Sequence, residues 1–321
     1  MFSSLFTQRR WDPAGLHCYV TGGSSGLGLS LALLLTKHGA HVSIVARNRD
    51  TLAHALAQLE GARVSPKQVL ASYSYSLETL DGAQAAYNAA CATHDGTPAD
   101  AVFMCAGGSR PGFWVEQSEE QIRHSMDITY WVAAWTAKVA AERMARTRHS
   151  GKFVFVGSIL SYFGLVGYAT YCPGKFAIRG LAETLRQEML LYGVDVHMYF
   201  PATIDSPGLV EENKSKPALT LKIEESDPVA SPDACAAGLF QGVQRGDFHI
   251  ADTFNAEAFR ATTRGTTPWN SFGKDMLYGF IGSVALPFWR RDVDDMVRKH
   301  RDEHAQYLED RGFFRQSESR D

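Results

Sequence analysis

Three residues carry the chemistry of a proton-transfer site. Tyr171 and Lys175 stand four apart at the start of a strongly helical stretch, so they share one helix face. Ser158 lies thirteen residues before Tyr171, just past the apolar run Lys152–Val156. A tyrosine phenol with an ordinary pKa of about 10 is a poor acid–base group at neutral pH. A cation one turn away stabilises its phenolate and makes the phenol more acidic. A serine hydroxyl beside the pair can orient and polarise a carbonyl. A bare Tyr-x-x-x-Lys is a common string, and its weight here comes from its position in the chain.

That position is set by a glycine-rich loop far upstream. Thr21-Gly22-Gly23-Ser24-Ser25-Gly26-Leu27-Gly28 joins the short apolar strand His17–Thr21 to a helix predicted over Leu29–His38. Glycines allow a tight turn and close backbone approach to a pyrophosphate, and the helix beyond offers free N–H groups and a positive dipole end. Gly22, Ser24, Ser25, Gly26, Leu27 and Gly28 are therefore candidate dinucleotide-binding residues. No Gly-Lys-Ser/Thr follows, which disfavours a nucleoside-triphosphate loop. A site built for a free ribose 2′-hydroxyl places an acid about 20 residues further on. Here the sequence reads Ala46-Arg47-Asn48-Arg49, and the first acid is Asp50. Arg47 and Arg49 suit a 2′-phosphate, since guanidinium matches phosphate bidentately. The expected cofactor is NADPH.

A scaffold must bring these distant residues to one edge. Strands are predicted at His17–Thr21, His41–Ala46, Val69–Tyr75, Ala101–Cys105, Lys152–Val156 and Val194–Phe200. Between them run helical patterns at Arg49–Glu60, Leu77–Thr93, Glu119–Arg146 and Tyr171–Leu191. Short apolar strands alternating with helices imply an α/β fold: a Rossmann-type, doubly wound parallel sheet with helices on both faces. After Pro201 the alternation stops. Ser206–Pro232 is polar and proline-rich and is expected to be a loop or lid; Ser231–Arg245 is helical again; 252–275 looks irregular; a C-terminal helical extension follows. The expected organisation is an N-terminal arm at 1–14, a dinucleotide-binding domain at 15–275 with a substrate lid at 206–232, and an apolar segment with a C-terminal helix at 276–321.

Composition excludes other classes. The chain has 321 residues, with 32 Lys and Arg against 35 Asp and Glu, so a net charge of −3 gives no basic footprint for nucleic acid. Five cysteines, with no CxxC pair, exclude a zinc ribbon and argue against a disulfide framework. The eleven histidines show no metal-ligand spacing, and no metal is expected. Leu277–Trp289 reads LYGFIGSVALPFW, about 20 Å as a helix and interrupted by Pro287. That is short of the ~30 Å hydrocarbon core. The segment either lies at a membrane surface, with Tyr278, Phe280, Phe288 and Trp289 at the headgroup boundary, or packs on the core or a partner subunit.

With these motifs in hand, the chain resembles the short-chain dehydrogenase/reductase family over about residues 15–210. The resemblance implies that Ser158, Tyr171 and Lys175 are catalytic, with Tyr171 as proton donor and Lys175 also holding the nicotinamide ribose. It implies that Ala106 and Gly107 after the fourth strand, Ser74 after the third, and Ile204 and Ser206 after the sixth line the cofactor. The family's relay asparagine falls at Thr129, and the positions inside Tyr-x-x-x-Lys are Cys172-Pro173-Gly174. Family members pair through the two long helices, so a homo-oligomer is expected, with Trp131 and Trp135 either at that interface or in the core. TGGSSGLG with VARN, KFAIRGLAE, PATIDSPG and the apolar C-terminal segment resemble a narrower branch of the family. Its members reduce a long-chain keto-sphingoid base with NADPH in sphingolipid synthesis, at the cytosolic face of the endoplasmic reticulum membrane. The alternatives are a reductase of another lipid or steroid carbonyl, or a catalytically weak NADP-binding redox sensor.

Overall fold

The computed structural model describes residues 10–314. Its elements, in order, are β1 (His17–Thr21), α1 (Gly26–Lys37), β2 (His41–Ala46), α2 (Arg49–Gly61), β3 (Leu70–Ser74), α3 (Leu80–Ala92) and β4 (Ala101–Met104). Then come α4 (Glu119–Met126), α5 (Val132–Thr147), β5 (Gly151–Val156), α6 (Tyr171–Met189) and β6 (Val194–Tyr199). The chain continues with α7 (Pro207–Asn213), α8 (Ala218–Ile223), α9 (Pro232–Arg245), β7 (His249–Ile250), α10 (Phe254–Thr262), α11 (Phe272–Lys299) and α12 (Arg301–Asp310). The strands form one seven-stranded sheet in the order β3-β2-β1-β4-β5-β6-β7, every pair parallel. The expected doubly wound α/β fold is therefore what the chain adopts.

Alternating strand residues feed two separate cores, which is why the strands read as continuously apolar. Tyr19, Phe153, Phe155 and Met198 pack with α3, α5 and α6 on one face. Val20, Ile44, Phe103 and Tyr199 pack with α1, α2 and α9 on the other. The strand order reverses between β1 and β4, so their carboxyl ends flank the crevice where such sheets bind ligands.

Several elements differ from expectation. The stretch predicted as one long helix contains a π-helical turn, Asp127–Trp131, between α4 and α5. The expected polar lid holds two short helices, α7 and α8, each too brief to show periodicity. The region expected to be irregular contains α10, and the two-residue β7 escaped the sequence pattern. Pro287 does not break the C-terminal helix: α11 runs through it for 28 residues. Tertiary packing overrides the local penalty, because α11 lies closely on α10, where a Cβ on Gly282 would sit 3.1 Å from the Ala258 carbonyl. A buried ion pair between Arg260 of α10 and Asp275 in the first turn of α11 ties the two helices. Among the described residues no helix is long and apolar enough to cross a membrane. From the N-terminal arm, Trp11 packs on Phe103 and Phe240 at 6.2 and 5.9 Å between rings. Residues 1–9 of the arm and 315–321 of the extension lie outside the described residues.

Candidate active site

The glycine loop begins where β1 ends. Thr21 Oγ1 accepts from the Ala106 N–H at 3.1 Å and donates to the Phe103 carbonyl, locking the carboxyl ends of β1 and β4 together. Gly22 has φ +67°, and a Cβ on Gly28 would stand 2.3 Å from the Gly22 carbonyl, so the loop folds back on itself only with glycine at both places. Ser25 caps α1 without a side-chain hydrogen bond, and the first turn carries no acid. The free N–H groups are therefore left to an anion, and the cradle fits a pyrophosphate. Gly22, Ser24, Ser25 and Gly26 lie along this loop. Leu27 buries its side chain in the core under α1, so only its backbone can face a phosphate. A Cβ on Gly26 would come within 3.2 Å of Ser206, so the loop after β6 closes directly against the phosphate loop. Ser206 caps α7 by accepting from Leu209 N, and Ile204 pairs with Ala230 in an isolated parallel bridge.

At the end of β2 the picture is more specific than expected. The Arg47 side chain is 68% exposed and donates to Glu78 Oε1 at 2.7 Å. Its guanidinium thus already has a carboxylate partner. Arg49 is exposed at the start of α2 and has no ion-pair or side-chain hydrogen-bond partner among the described residues, while Asn48 caps that helix. The Ser74 hydroxyl donates to the Arg47 carbonyl at 2.8 Å, pinning the end of β3 to the end of β2.

The three chemistry-bearing residues meet at the carboxyl end of β5. Ser158 opens a 3₁₀ turn, Ile159–Ser161, its hydroxyl accepting from Leu160 N at 3.1 Å. Tyr171 begins α6, held by the Tyr171 N–H bond to the Tyr168 carbonyl and by the Ser125 hydroxyl bonding to the Thr170 carbonyl at 2.9 Å. Lys175 is buried one turn on; its Nζ lies 5.6 Å from the Tyr171 ring centre and donates to the Val156 carbonyl at 3.2 Å. Burial draws the Lys175 ammonium down to about 8. Tyr171 goes the opposite way from the sequence expectation: burial pushes its phenol up, the Glu212 carboxylate adds to that, and the Ser158 hydroxyl only partly opposes them. The phenol therefore stays protonated and carries the proton a developing alkoxide needs, but as a weaker acid than a free tyrosine. Gly107 lies next to both the Ile128 carbonyl and Lys175 Nζ, where an added Cβ would meet them at 3.3 and 3.9 Å. Burial raises the Cys105 thiol beside Lys175 to about 12, which keeps it inert.

Two features were invisible to spacing. Thr129, at the family's relay position, turns its hydroxyl back to the Ser125 carbonyl at 2.5 Å and fills the space under Gly174 instead of reaching into the crevice. Gly174 is thus explained: a Cβ there would lie 1.9 Å from Thr129 Oγ1. The second feature is the lid. Tyr168, whose ring centre is 5.7 Å from that of Tyr171, donates its hydroxyl to Glu212 Oε1 of α7 at 2.7 Å. Lys216 bridges Glu212 and Glu224 at 3.0 and 2.7 Å, almost fully buried. Nothing in the sequence singled out Tyr168 or Glu212.

Fold and site together define an oxidoreductase that uses a nicotinamide dinucleotide. A family model for short chain dehydrogenases matches residues 17–217, and the chain belongs to that family. It is 41% identical over 309 residues to the 3-ketodihydrosphingosine reductase TSC10 of Cryptococcus neoformans var. neoformans, covering 96% of this chain and 92% of that protein. It is 32% identical to the 3-dehydrosphinganine reductase of Danio rerio, covering 93% and 90% of the two chains. Among solved structures, a short-chain type dehydrogenase/reductase from Mycobacterium ulcerans aligns with TM-score 0.64 and 26% identity, over 73% of this chain and 84% of that one. One from Burkholderia phymatum in complex with NAD aligns with TM-score 0.68 over 79% and 93%; at 19% identity it shares the fold.

Proposed function

We propose that the chain is an NADPH-dependent reductase of 3-ketodihydrosphingosine, forming dihydrosphingosine in sphingolipid biosynthesis. The observation that carries this reading is the end-to-end similarity to reductases so named, joined to a Ser158, Tyr171 and Lys175 site at the mouth of a dinucleotide crevice. When bound, the dinucleotide supplies the hydride to the ketone carbon. Ser158 orients the carbonyl, the neutral phenol of Tyr171 gives its proton to the developing alkoxide, and Lys175 holds positive charge beside it. Gly22, Ser24, Ser25, Gly26, Leu27, Gly28, Ala106, Gly107, Ile204 and Ser206 line the cofactor under this reading, with Ser74 supporting the adenine end. Arg49, which has no ion-pair or side-chain hydrogen-bond partner among the described residues, and Arg47, once it leaves Glu78, face the 2′-phosphate.

The same reading places the enzyme on the cytosolic face of the endoplasmic reticulum, docked rather than spanning. Two faces of α11 support this. Leu286 and Trp289 turn inward, the Trp289 ring lying 5.0 Å from Phe163 and 5.5 Å from Phe259. Phe280, Val284 and Phe288 recur every four residues on the other face and are 71%, 53% and 60% exposed. Trp131 at the end of the π-helical turn and Trp135 in α5, stacked at 4.6 Å, mark the face proposed to pair two copies. The deciding experiment is NADPH oxidation with 3-ketodihydrosphingosine, by wild type and Tyr171→Phe. Turnover in the first and its loss in the second, with NADPH binding retained, is expected; full turnover in Tyr171→Phe refutes the proton-donor role.

A further inference from the structure

The lid places a carboxylate where an ordinary ketone reductase gains nothing from one. Glu212 reaches Tyr168, which packs against Tyr171, and its charge is felt at the Tyr171 phenol, where it disfavours ionisation. A negative charge there opposes the reaction, since it destabilises the oxyanion. Its neighbours do not neutralise it. Glu212 and Glu224 share the single ammonium of Lys216, which leaves one carboxylate charge unbalanced in a half-dry setting. Both side-chain polar contacts of Glu212 among the described residues use Oε1, from Tyr168 and from Lys216, and Oε2 has no partner among them. Nor is Glu212 needed to hold Lys216 to the lid, because Glu224 already holds it at 2.7 Å.

We infer that Glu212 recognises a substrate cation on the carbon next to the reacting carbonyl, with Oε2 accepting from an α-ammonium group. This rests on the substrate reading above, in which the ketone bears an amino group on the adjoining carbon. A substrate whose carbonyl meets Tyr171 and Ser158 then presents its ammonium toward α7. The cation removes the penalty that Glu212 imposes, and a ketone lacking it leaves the penalty in place. The carboxylate thus acts twice, drawing in amino ketones and slowing others.

The test compares kcat/KM for 3-ketodihydrosphingosine and for the ketone of the same chain with hydrogen in place of the amino group. The variants are Glu212→Gln, which keeps the shape and loses the charge, and Glu212→Asp, which keeps the charge. Wild type should prefer the amino ketone, and Glu212→Gln should lower that preference by about 10- to 100-fold, as expected for a hydrogen bond between charged groups, mainly through KM. Glu212→Asp should keep part of it. An unchanged preference in Glu212→Gln overturns the inference. So does an equal loss on both ketones in both variants, which makes Glu212 a lid brace only. Wild type that reduces both ketones equally well overturns the inference and leaves the reductase reading standing; wild type that reduces neither refutes the substrate reading and the inference with it.

Discussion

Replacing Gly174 by Ala sets two effects of opposite sign against each other. Gly174 lies within α6, and alanine in a helix interior is ordinarily worth about 1 kcal/mol over glycine. Helix propensity alone therefore predicts a more stable protein. Packing predicts the reverse. The added Cβ would stand 1.9 Å from Thr129 Oγ1 and 2.7 Å from Thr129 Cβ. Rotating Thr129 gives no escape, because its Cβ is fixed by the backbone and its hydroxyl is bonded to the Ser125 carbonyl. Relief needs α6 to move off the π-helical turn by about 1 Å, and overpacking of this kind costs roughly 1–3 kcal/mol. The same shift carries Tyr171 and Lys175, which flank Gly174, and misplacing catalytic groups by about 1 Å costs on the order of 100-fold in rate. The expected outcome is a lower melting temperature, a large loss of kcat/KM, and substantial rescue of both by a second change, Thr129→Gly, which removes the clashing atoms. A Gly174→Ala protein as stable and as active as wild type would refute the packing argument.

Other expectations follow from single contacts. Arg47→Ala should weaken NADPH by about 10-fold and NADH little, since a charge-assisted bond is worth roughly 1.5 kcal/mol at its low end and Arg47 is exposed and shared with Glu78; equal losses for both cofactors, measured by fluorescence titration, would show that it does not read the 2′-phosphate. Burial lowers His17 and His249 to about 3 and His197 to about 4. The unfolded chain protonates these residues below about pH 6.5 while the folded one does not, so stability is present above that pH and lost as pH falls toward 4, by up to about 1.4 kcal/mol per histidine per pH unit; urea midpoints unchanged between pH 7 and 5 would contradict this. Changing Phe280, Val284 and Phe288 together to Ser should cut liposome co-sedimentation by about 100-fold or more, each phenylalanine being worth roughly 1.5–3 kcal/mol when buried, with the fold intact. Trp289→Ser should instead destabilise the fold by roughly 1–3 kcal/mol, since Trp289 is only partly buried, and co-sedimentation lost only in that variant would assign the helix to packing.

What the sequence disclosed, and what it withheld, divides along the distance over which information is carried. The central strands β1, β2, β4, β5 and β6 were legible because their residues are largely buried, and the phosphate loop because its motif is contiguous and Gly28 answers to Gly22 only six residues away. Tyr171 and Lys175 were legible because one helical turn joins them. The features that escaped depend on chain segments that meet only after the sheet has formed. Arg47 is suited to a phosphate when read alone, yet β3 pairs with β2 and brings Glu78 to it across 31 residues. Gly174 looks like a weak point in a helix until α6 is laid on Thr129. Pro287 looks like a stop until α10 is found beneath α11, and Trp289 resembles a headgroup anchor until Phe163 and Phe259 are seen against it. Glu212 is the furthest case. Nothing local marks it, and its proposed meaning comes from reaching Tyr171 through Tyr168, which only the folded lid can arrange. Residues that choose among substrates on a shared scaffold are of this kind: the chemistry stays in the short-range motif, and selectivity is assembled from long-range contacts around it.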